Sequence, residues 1–209
     1  MSALPCSPAA ERNKAPILDA LRTRIRRGQS ILEIGSGTGQ HVVHFASALP
    51  GIHWVPSEHP EAVSMLRARV EASGLANIDP PRILDVASAW PSLEVEGVYS
   101  ANTAHIMSWE EVGCMFRGVG QLLRGGRFFL YGPFNRDGRY TSASNQDFDR
   151  SLRMRNPRMG LRNDVDLVAL GRQCALELQD DLEMPSNNRM LVWQSIRTPI
   201  DGMGGASGN

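Results

Sequence analysis

The sequence predicts an α/β fold in which helices cover both faces of a mostly parallel β-sheet. Short apolar runs alternate with segments of helical periodicity along most of the 209 residues. This alternation is typical of parallel strands joined by helical crossovers. A glycine-rich segment follows the first predicted strand, where α/β folds commonly bind ligands. The chain length favours a single domain.

The first half of the chain opens with an arm at residues 1–10 and a helix at residues 11–27. Ile17, Leu18 and Leu21 recur on one face of that helix, and Gly28 is expected to end it, with arginines in its last turn. Strands and helices then alternate: strand 31–35, helix 39–49, strand 52–58, helix 60–73 opened by Pro60, strand 82–86 and strand 97–102.

The second half continues the alternation and closes on a pair of strands. Ser108 and Glu111 form a capping-box pattern at the start of a helix, and strand 127–132 follows it. The remaining predicted elements are a short helix at 145–155, a helix at 163–174 capped by Asn163, and strands at 176–184 and 188–196. The short link between the last two strands favours antiparallel pairing. The predicted domain spans 11–197, and the Gly-rich tail at 198–209 is expected to be disordered.

Composition argues against several classes of protein. The 22 basic and 22 acidic residues cancel, whereas nucleic-acid binders usually carry a basic excess. No apolar run approaches the roughly 20 residues of a membrane span, and the N-terminus lacks a secretory pattern. Cys6, Cys114 and Cys174 are widely spaced, which fits a reducing compartment better than disulfides or zinc. We therefore expect a cytoplasmic protein with no nucleic-acid, membrane or metal partner.

The strongest motif is the segment EIGSGTG at residues 33–39. Its glycines allow a tight turn and let a ligand approach the backbone. The GxGxG spacing departs from the GxGxxG of nicotinamide-binding folds, and the P-loop pattern is absent. Glu58 ends the second predicted strand, where a carboxylate can accept hydrogen bonds from both ribose hydroxyls. Asp85 and Val86 close the third strand, either beside an adenine or, for Asp85, simply as a turn former.

These features resemble the first motifs of class I S-adenosylmethionine (SAM)-dependent methyltransferases. Over residues 7–194 the chain also resembles the methyltransferase-like protein 26 family, which is largely uncharacterised and assigned to SAM-dependent methyl transfer by its motifs. The segments that carry this resemblance are SPAAERNKAPIL, ILEIGSGTGQH, WVPSE, SANTAHIMSWE, LYGPFNRDGRYTSASNQDFDRSLR and MPSNNRMLVW. Two departures are Glu58, where many relatives are expected to have Asp, and the Gly-rich tail. The resemblance implies a Rossmann-like three-layer sandwich with sheet order 3-2-1-4-5-7-6, in which the last strand is antiparallel.

The resemblance also implies a set of site residues. The residues that follow the fourth strand, from Asn102 to His105, would line the transfer site. They lack the proline pair of enzymes that methylate flipped bases. The predicted cofactor-binding residues are Asn13, Glu33, Gly35, Ser36, Gly37, Thr38, Gly39, Glu58, Asp85, Val86, Asn102 and Thr103.

Three further residues are candidates for catalysis. His105 is either a general base or a buried histidine that braces the loop. Tyr131 and Asn135 end the fifth strand and either orient a substrate or, for Asn135, brace a turn. The arginines of residues 136–162 belong either to a lid that binds an anionic substrate or to a solvated helix with i,i+4 ion pairs.

The sequence thus predicts methyl transfer from SAM to a small-molecule nucleophile, with S-adenosylhomocysteine as the product. The alternative is a non-catalytic SAM-binding or methyltransferase-like interaction module, because a fold does not prove an activity. A nicotinamide-dependent oxidoreductase is a further alternative, and it would require GxGxG to replace the usual glycine spacing.

Overall fold

The computed structural model describes residues 4–198. The helices are α1 Pro8–Arg22, α2 Gln40–Ala48, α3 Val63–Ser73, α4 Trp109–Leu122, α5 Ala143–Arg155 and α6 Asp164–Gln173. The strands are β1 Ser30–Ile34, β2 His53–Glu58, β3 Arg82–Ile83, β4 Gly97–Ala101, β5 Arg127–Gly132, β6 Phe134–Asn135, β7 Arg162–Asn163, β8 Leu176–Met184 and β9 Asn188–Ser195. The expected disorder of the tail concerns residues that, after Thr198, lie outside the described part of the chain.

A seven-stranded sheet forms the middle layer, in the order β3-β2-β1-β4-β5-β9-β8. Strand β9 runs antiparallel to both of its neighbours, and the other strand pairs are parallel. The predicted order is therefore confirmed, with β8 and β9 as its sixth and seventh strands. The two-residue strands β6 and β7 form a separate parallel pair, which is too short to leave a pattern in the sequence.

Two apolar cores, one on each face of the sheet, complete the sandwich. On one face α1 and α2 bury Ile17 and Phe45 against Trp54. On the other face α4 buries Phe116 against Trp193 of β9. Each large apolar side chain that is fully buried contributes about 1.5–3 kcal/mol. Successive residues of β1 point to opposite cores, as expected for a strand covered on both faces.

Helix α1 begins three residues before the predicted start and ends five residues before the predicted end. Ser7 caps it, Pro8 occupies the first turn, and the Ser7 N–H donates to the Gln40 side chain of α2 at 2.5 Å. After Arg22 the chain turns, and Arg24 pairs with Asp180 of β8 at 3.0 Å. The predicted cluster of arginines in the last helical turn was therefore wrong, because only Arg22 lies there.

Two other boundaries differ from the prediction by three residues, and the rest of the differences are of one or two residues. Helix α3 begins at Val63 rather than Pro60, because the N–H groups of Ala62 and Val63 bind the His59 carbonyl in a turn. Strand β3 ends at Ile83, so Asp85 and Val86 lie in the following loop and not in the strand. The limits of the domain at 11–197 stay a prediction. None of the helices within residues 4–198 is long and apolar enough to cross a membrane.

Candidate functional site

A cavity of about 620 Å³ opens at the carboxyl ends of β1, β2 and β4. Its volume falls in the range of small-molecule and cofactor sites. The predicted cofactor-binding residues that line it are Gly35, Gly37, Glu58, Asp85, Val86, Asn102 and Thr103. Sequence reasoning missed other lining residues, which come from the loops after β2 and β3, the segment before α4 and the first turn of α4: His59, Glu61, Leu84, Ile106, Met107 and Glu111.

The glycine loop forms one wall of this cavity, which we call the cofactor cavity. Gly35 has φ 69°, and a Cβ on it would lie 2.6 Å from the Thr103 methyl carbon. Gly37 has φ 56°, and a Cβ there would meet nothing within 4 Å. Gly39, at φ 76°, is instead the N-cap of α2 and packs near Leu66 and Arg69. Only the first two glycines therefore face the cavity.

The Glu58 carboxylate joins the glycine loop to the end of β2. It accepts hydrogen bonds from the N–H groups of Gly37 at 2.6 Å and His59 at 2.8 Å. Each oxygen uses one lone pair for these bonds, and each has a second lone pair available for a ligand. This arrangement suits a ligand that presents two hydroxyl donors.

The walls of the cofactor cavity carry acidic but no Lys or Arg side chains among the described residues. The acidic residues are Glu58, Glu61, Asp85 and Glu111. The backbone N–H of Ala87, followed by the Ser88 hydroxyl, holds the pKa of Asp85 below its usual value, so that carboxylate stays ionised. An acidic cavity attracts a cationic ligand and opposes the pyrophosphate of a dinucleotide.

Ser36, Thr38 and Glu33 support the glycine loop and do not line the cavity. The Ser36 hydroxyl accepts from the Ser57 N–H at 3.3 Å, and the Thr38 hydroxyl donates to Gln40 at 2.7 Å. Glu33 lies beneath the loop and is 1% exposed. The structure therefore brings together only part of the predicted cofactor set.

Glu33 and His41 form a buried polar pair under the loop. Burial raises the pKa of Glu33 to about 7 and lowers the pKa of His41 to about 4. The two side chains approach to 4.0 Å, yet between those pH values both are neutral. They are therefore not an ion pair near neutral pH.

A second cavity of about 310 Å³ adjoins the first, and Asn102 lines both. Asn102 follows β4 with φ 60°, a left-handed conformation that is uncommon for residues other than glycine. The predicted residues Asn13, His105 and Tyr131 line this second cavity. The lining residues not predicted as site residues come from four segments: Ala9, Arg12, Pro133, Ser144, Asn145, Phe148, Pro185, Ser186 and Asn188.

His105 lies in the wall of the second cavity and is 7% exposed. Its ring packs edge-on against Phe148, with 5.2 Å between the ring centroids. Burial, and then the positive charge of Arg162, lower the pKa of His105 to about 4. The imidazole is therefore neutral near pH 7 and has a ring nitrogen that can accept a proton.

Asn13 and Tyr131 are fixed by a buried chain of polar side chains. Asn13 Oδ1 lies 2.7 Å from His41 Nε2, and Tyr99 Oη lies 3.2 Å from His41 Nδ1. Because Asn13 Oδ1 only accepts, His41 donates from Nε2 and accepts the Tyr99 hydroxyl at Nδ1. Burial raises the pKa of Tyr131, opposed by the Asn13 side chain and by the charge of Arg12, so Tyr131 keeps its proton.

Asn135 does not line either cavity. Its amide donates to Asn163 Oδ1 at 3.1 Å, and its carbonyl accepts from the Arg189 guanidinium at 2.9 Å. The side chain bonds Asn163 of the paired strand β7, so the structure gives no support to the predicted substrate contact. The bracing alternative agrees better with these bonds.

The arginines of residues 136–162 are largely held by protein partners. Arg150, Arg153 and Arg158 pair with Asp147, Asp149 and Glu110 at 2.9, 2.8 and 3.2 Å. Arg162 donates to the carbonyls of Ala104 and Met107. None of these side chains lines the second cavity. Helix α5 instead contributes Phe148 and Asn145 to the cavity wall.

Within residues 4–198, no three His, Cys, Asp or Glu side chains come together as a metal site. The three cysteines are free.

Comparison with known proteins places this geometry in context. A sequence family described as "Protein of unknown function (DUF938)" matches residues 4–195. The apo structure of the S-adenosylmethionine-dependent methyltransferase SibL is similar, with a TM-score of 0.76 and 18% identity over 91% of this chain and 56% of that chain.

Two further solved structures are similar in fold. The O-methyltransferase family 2 protein from Planctomyces limnophilus, in complex with apigenin, has a TM-score of 0.78 and 12% identity, over 90% of this chain and 58% of that one. CalO1, a methyltransferase of calicheamicin biosynthesis in its SAH-bound form, has a TM-score of 0.70 and 15% identity, over 86% and 53%. At these identities the likeness concerns the fold, and this chain spans little more than half the length of each.

Proposed function

The chain belongs to the DUF938 family, and we propose that it is a class I methyltransferase that transfers a methyl group from SAM to a small-molecule nucleophile. We also propose that it belongs with the methyltransferase-like protein 26 family, which its sequence segments resemble. One observation carries the activity: the acidic cofactor cavity, which has the glycine loop as one wall, shares Asn102 with a second cavity whose charged lining residue is Arg12. Such a pair provides one site for a cationic cofactor and an adjacent site for an acceptor.

The residues of the cofactor cavity fit SAM. Glu58 has two oxygens for the ribose hydroxyls, Gly35 and Gly37 allow close approach, and Asp85 and Val86 would flank the adenine. When bound, SAM supplies an electrophilic methyl group on a sulfonium and becomes S-adenosylhomocysteine. The acidic walls favour that cation. The SAH-bound state of CalO1 supports the same cofactor for this fold.

The second cavity suits a small acceptor. The fold neighbour that holds apigenin supports a small-molecule substrate. Asn102, between the two cavities, would hold the acceptor nucleophile in line with the methyl group. Alignment of this kind supplies much of the rate enhancement in two-substrate reactions.

His105 would accept the proton of the acceptor nucleophile on a ring nitrogen. Because burial lowers its pKa to about 4, the ring is unprotonated at neutral pH and is a weak base, which would take the proton as methyl transfer makes the acceptor more acidic. Tyr131 stays protonated and would donate a hydrogen bond to the acceptor. We further propose a cytoplasmic location, which three free cysteines support.

The activity is tested with methyl-labelled SAM and fractionated metabolite extracts. We expect label to pass to a small molecule, and the His105→Ala variant to lower turnover about a hundredfold with SAM affinity within twofold of wild type. Because the pKa of His105 is about 4, protonation of His105 should not change the turnover rate of the wild type between pH 6 and 8. His53→Ala is the matched control, because His53 pairs with Asp79 at 2.8 Å away from both cavities.

Two results would count against this account. Tight SAM binding with no labelled product in any fraction would favour the non-catalytic interaction module. Full activity of the His105→Ala variant would show that His105 is not the proton acceptor and would favour the alternative in which it braces the loop.

A further inference from the structure

We infer that the second cavity binds acceptors that combine one aromatic ring with a carboxylate, and that Arg12 is the anion-binding residue. That these ligands are methyl acceptors rests on the proposed function. The binding preference itself rests on the residues of the cavity.

Arg12 gives the second cavity its charge. Of the described residues that line this cavity, Arg12 alone carries a formal charge near neutral pH, since His105 is neutral there. Its guanidinium makes no hydrogen bond or ion pair with any residue of 4–198, although its neighbours Glu11 and Lys14 pair with each other at 2.6 Å. A rim cation without a protein partner favours an anionic ligand.

Donors beside Arg12 extend this preference. Arg12 and Tyr131 line the same cavity. Asn13 Oδ1 is occupied by His41 and the Asn13 side chain also bonds the Tyr131 hydroxyl, so one of the two Asn13 amide N–H groups is left for a ligand. Tyr131 keeps its proton and also donates. Helix α1 and the end of β5 therefore offer a guanidinium, an amide N–H and a hydroxyl, a set that matches the two acceptor oxygens of a carboxylate.

The α5 side of the cavity is aromatic. Phe148 and His105 pack edge to face at 5.2 Å, and both line the cavity together with Pro133. Flat side chains of this kind favour a flat ring, and an offset or edge-on aromatic pair contributes about 0.5–1.5 kcal/mol beyond its buried area. The volume of about 310 Å³ suits a ligand of roughly one ring, at the lower end of small-molecule sites.

A carboxylate that reaches Arg12 has two sources, the acceptor and the methionine end of SAM, because Asn102 belongs to both cavities. Arg12 does not line the cofactor cavity. This placement favours the acceptor as the source of the carboxylate. Binding of the SAM carboxylate by Arg12 is the alternative outcome of the test.

The test uses benzoate and its neutral isostere benzamide as probes. Ligand-observed NMR measures their binding to the full chain, with and without S-adenosylhomocysteine. We expect benzoate to bind the wild type about tenfold more tightly than benzamide. The Arg12→Gln variant should bind the two probes equally, while its SAM affinity stays within twofold of the wild-type value. Arg22→Gln is the matched control, being exposed on the same helix outside both cavities. Phe148→Leu should weaken both probes equally.

The outcomes separate this inference from the proposed function. Equal binding of both probes to the wild type, or a benzoate preference that survives in Arg12→Gln, overturns the inference. A tenfold loss of SAM affinity in Arg12→Gln, with benzoate binding unchanged, overturns it in favour of the cofactor carboxylate. If SAM and S-adenosylhomocysteine fail to bind, the proposed methyl transfer is contradicted. The inference about benzoate is not affected, because the two probes are also compared in the absence of S-adenosylhomocysteine.

Discussion

At the scale of single residues, Glu33 shows how burial changes the role expected from a motif. The glycine motif places an acid two residues before Gly35, where the resemblance to methyltransferases predicts a cofactor contact. In the structure it is buried under the loop, and one carboxylate oxygen has no hydrogen-bond partner among the described residues. Its pKa of about 7 means that folding keeps a proton on it well above the ordinary range.

This raised pKa makes Glu33 a source of pH-dependent instability. The unfolded chain ionises this carboxyl near pH 4.5 and the folded chain near pH 7, so ionisation favours unfolding as the pH rises between these values. We expect the free energy of unfolding of Glu33→Gln, relative to wild type, to increase by about 2–3 kcal/mol between pH 5 and pH 8. Urea denaturation at both pH values measures this difference.

The comparison with wild type cancels the contribution of His105. This histidine, whose pKa is lowered to about 4, destabilises both proteins equally as the pH falls below 6.5, and measurements at pH 5 and above stay clear of the pKa of about 4 of His41 beside Glu33. A stability difference that is the same at pH 5 and pH 8 would show that Glu33 is already ionised in the folded protein at the lower pH.

At the scale of elements, two glycines with positive φ allow backbone strain to be distinguished from contact with a ligand. Gly37 and Gly74 both have positive φ, 56° and 63°, and a Cβ on either meets no atom within 4 Å. Only Gly37 lines the cofactor cavity, whereas Gly74 ends α3. An alanine at either position thus carries a similar backbone strain of about 1–2 kcal/mol, and only one adds a methyl group to the cavity.

We therefore expect Gly37→Ala to weaken SAM binding at least tenfold while Gly74→Ala leaves it within twofold. The two variants should lose similar melting temperature. Calorimetric titration and thermal denaturation measure the two quantities. Equal SAM affinity in both variants would mean that the open space at Gly37 is not part of the ligand site.

Elements with strong local patterns were predictable from the sequence. The capping box of Ser108 and Glu111 starts α4 as predicted, and β5 has its predicted limits. The start of α1 was not predictable, because it depends on a contact from Ser7 to Gln40 of another helix. After β3 the chain forms a turn in which the Ala87 N–H and the Ser88 hydroxyl donate to the Asp85 carboxylate, and the apolar pattern of residues 82–86 does not reveal this turn.

At the scale of the whole molecule, the two cavities differ in how far the sequence predicts them. The cofactor cavity is built largely from strand ends and the loops after them, so an ordered series of motifs indicates it. The second cavity combines α1, α5, the end of β5 and the turn between β8 and β9. Arg12, Phe148 and Asn188 share no local pattern, and only the folded chain brings them together.

Across the whole molecule, acidic and basic side chains are distributed unequally between the two cavities, which the composition does not reveal. The formal net charge is zero, yet acidic side chains line the cofactor cavity and the one formally charged residue of the second cavity, within the described chain, is Arg12. The distribution matches a cationic cofactor beside an anionic acceptor. Net charge excludes classes of partner, and local charge selects among those that remain.

The most direct test of this account is calorimetric titration of SAM, S-adenosylhomocysteine and NADH into the wild type and Glu58→Ala. We predict micromolar binding of the first two ligands, no binding of NADH, and at least tenfold weaker SAM binding by the folded variant, about 1.4 kcal/mol. Absence of SAM and S-adenosylhomocysteine binding by the wild type, or binding of NADH alone, would contradict the proposal that this cavity holds a methyl donor.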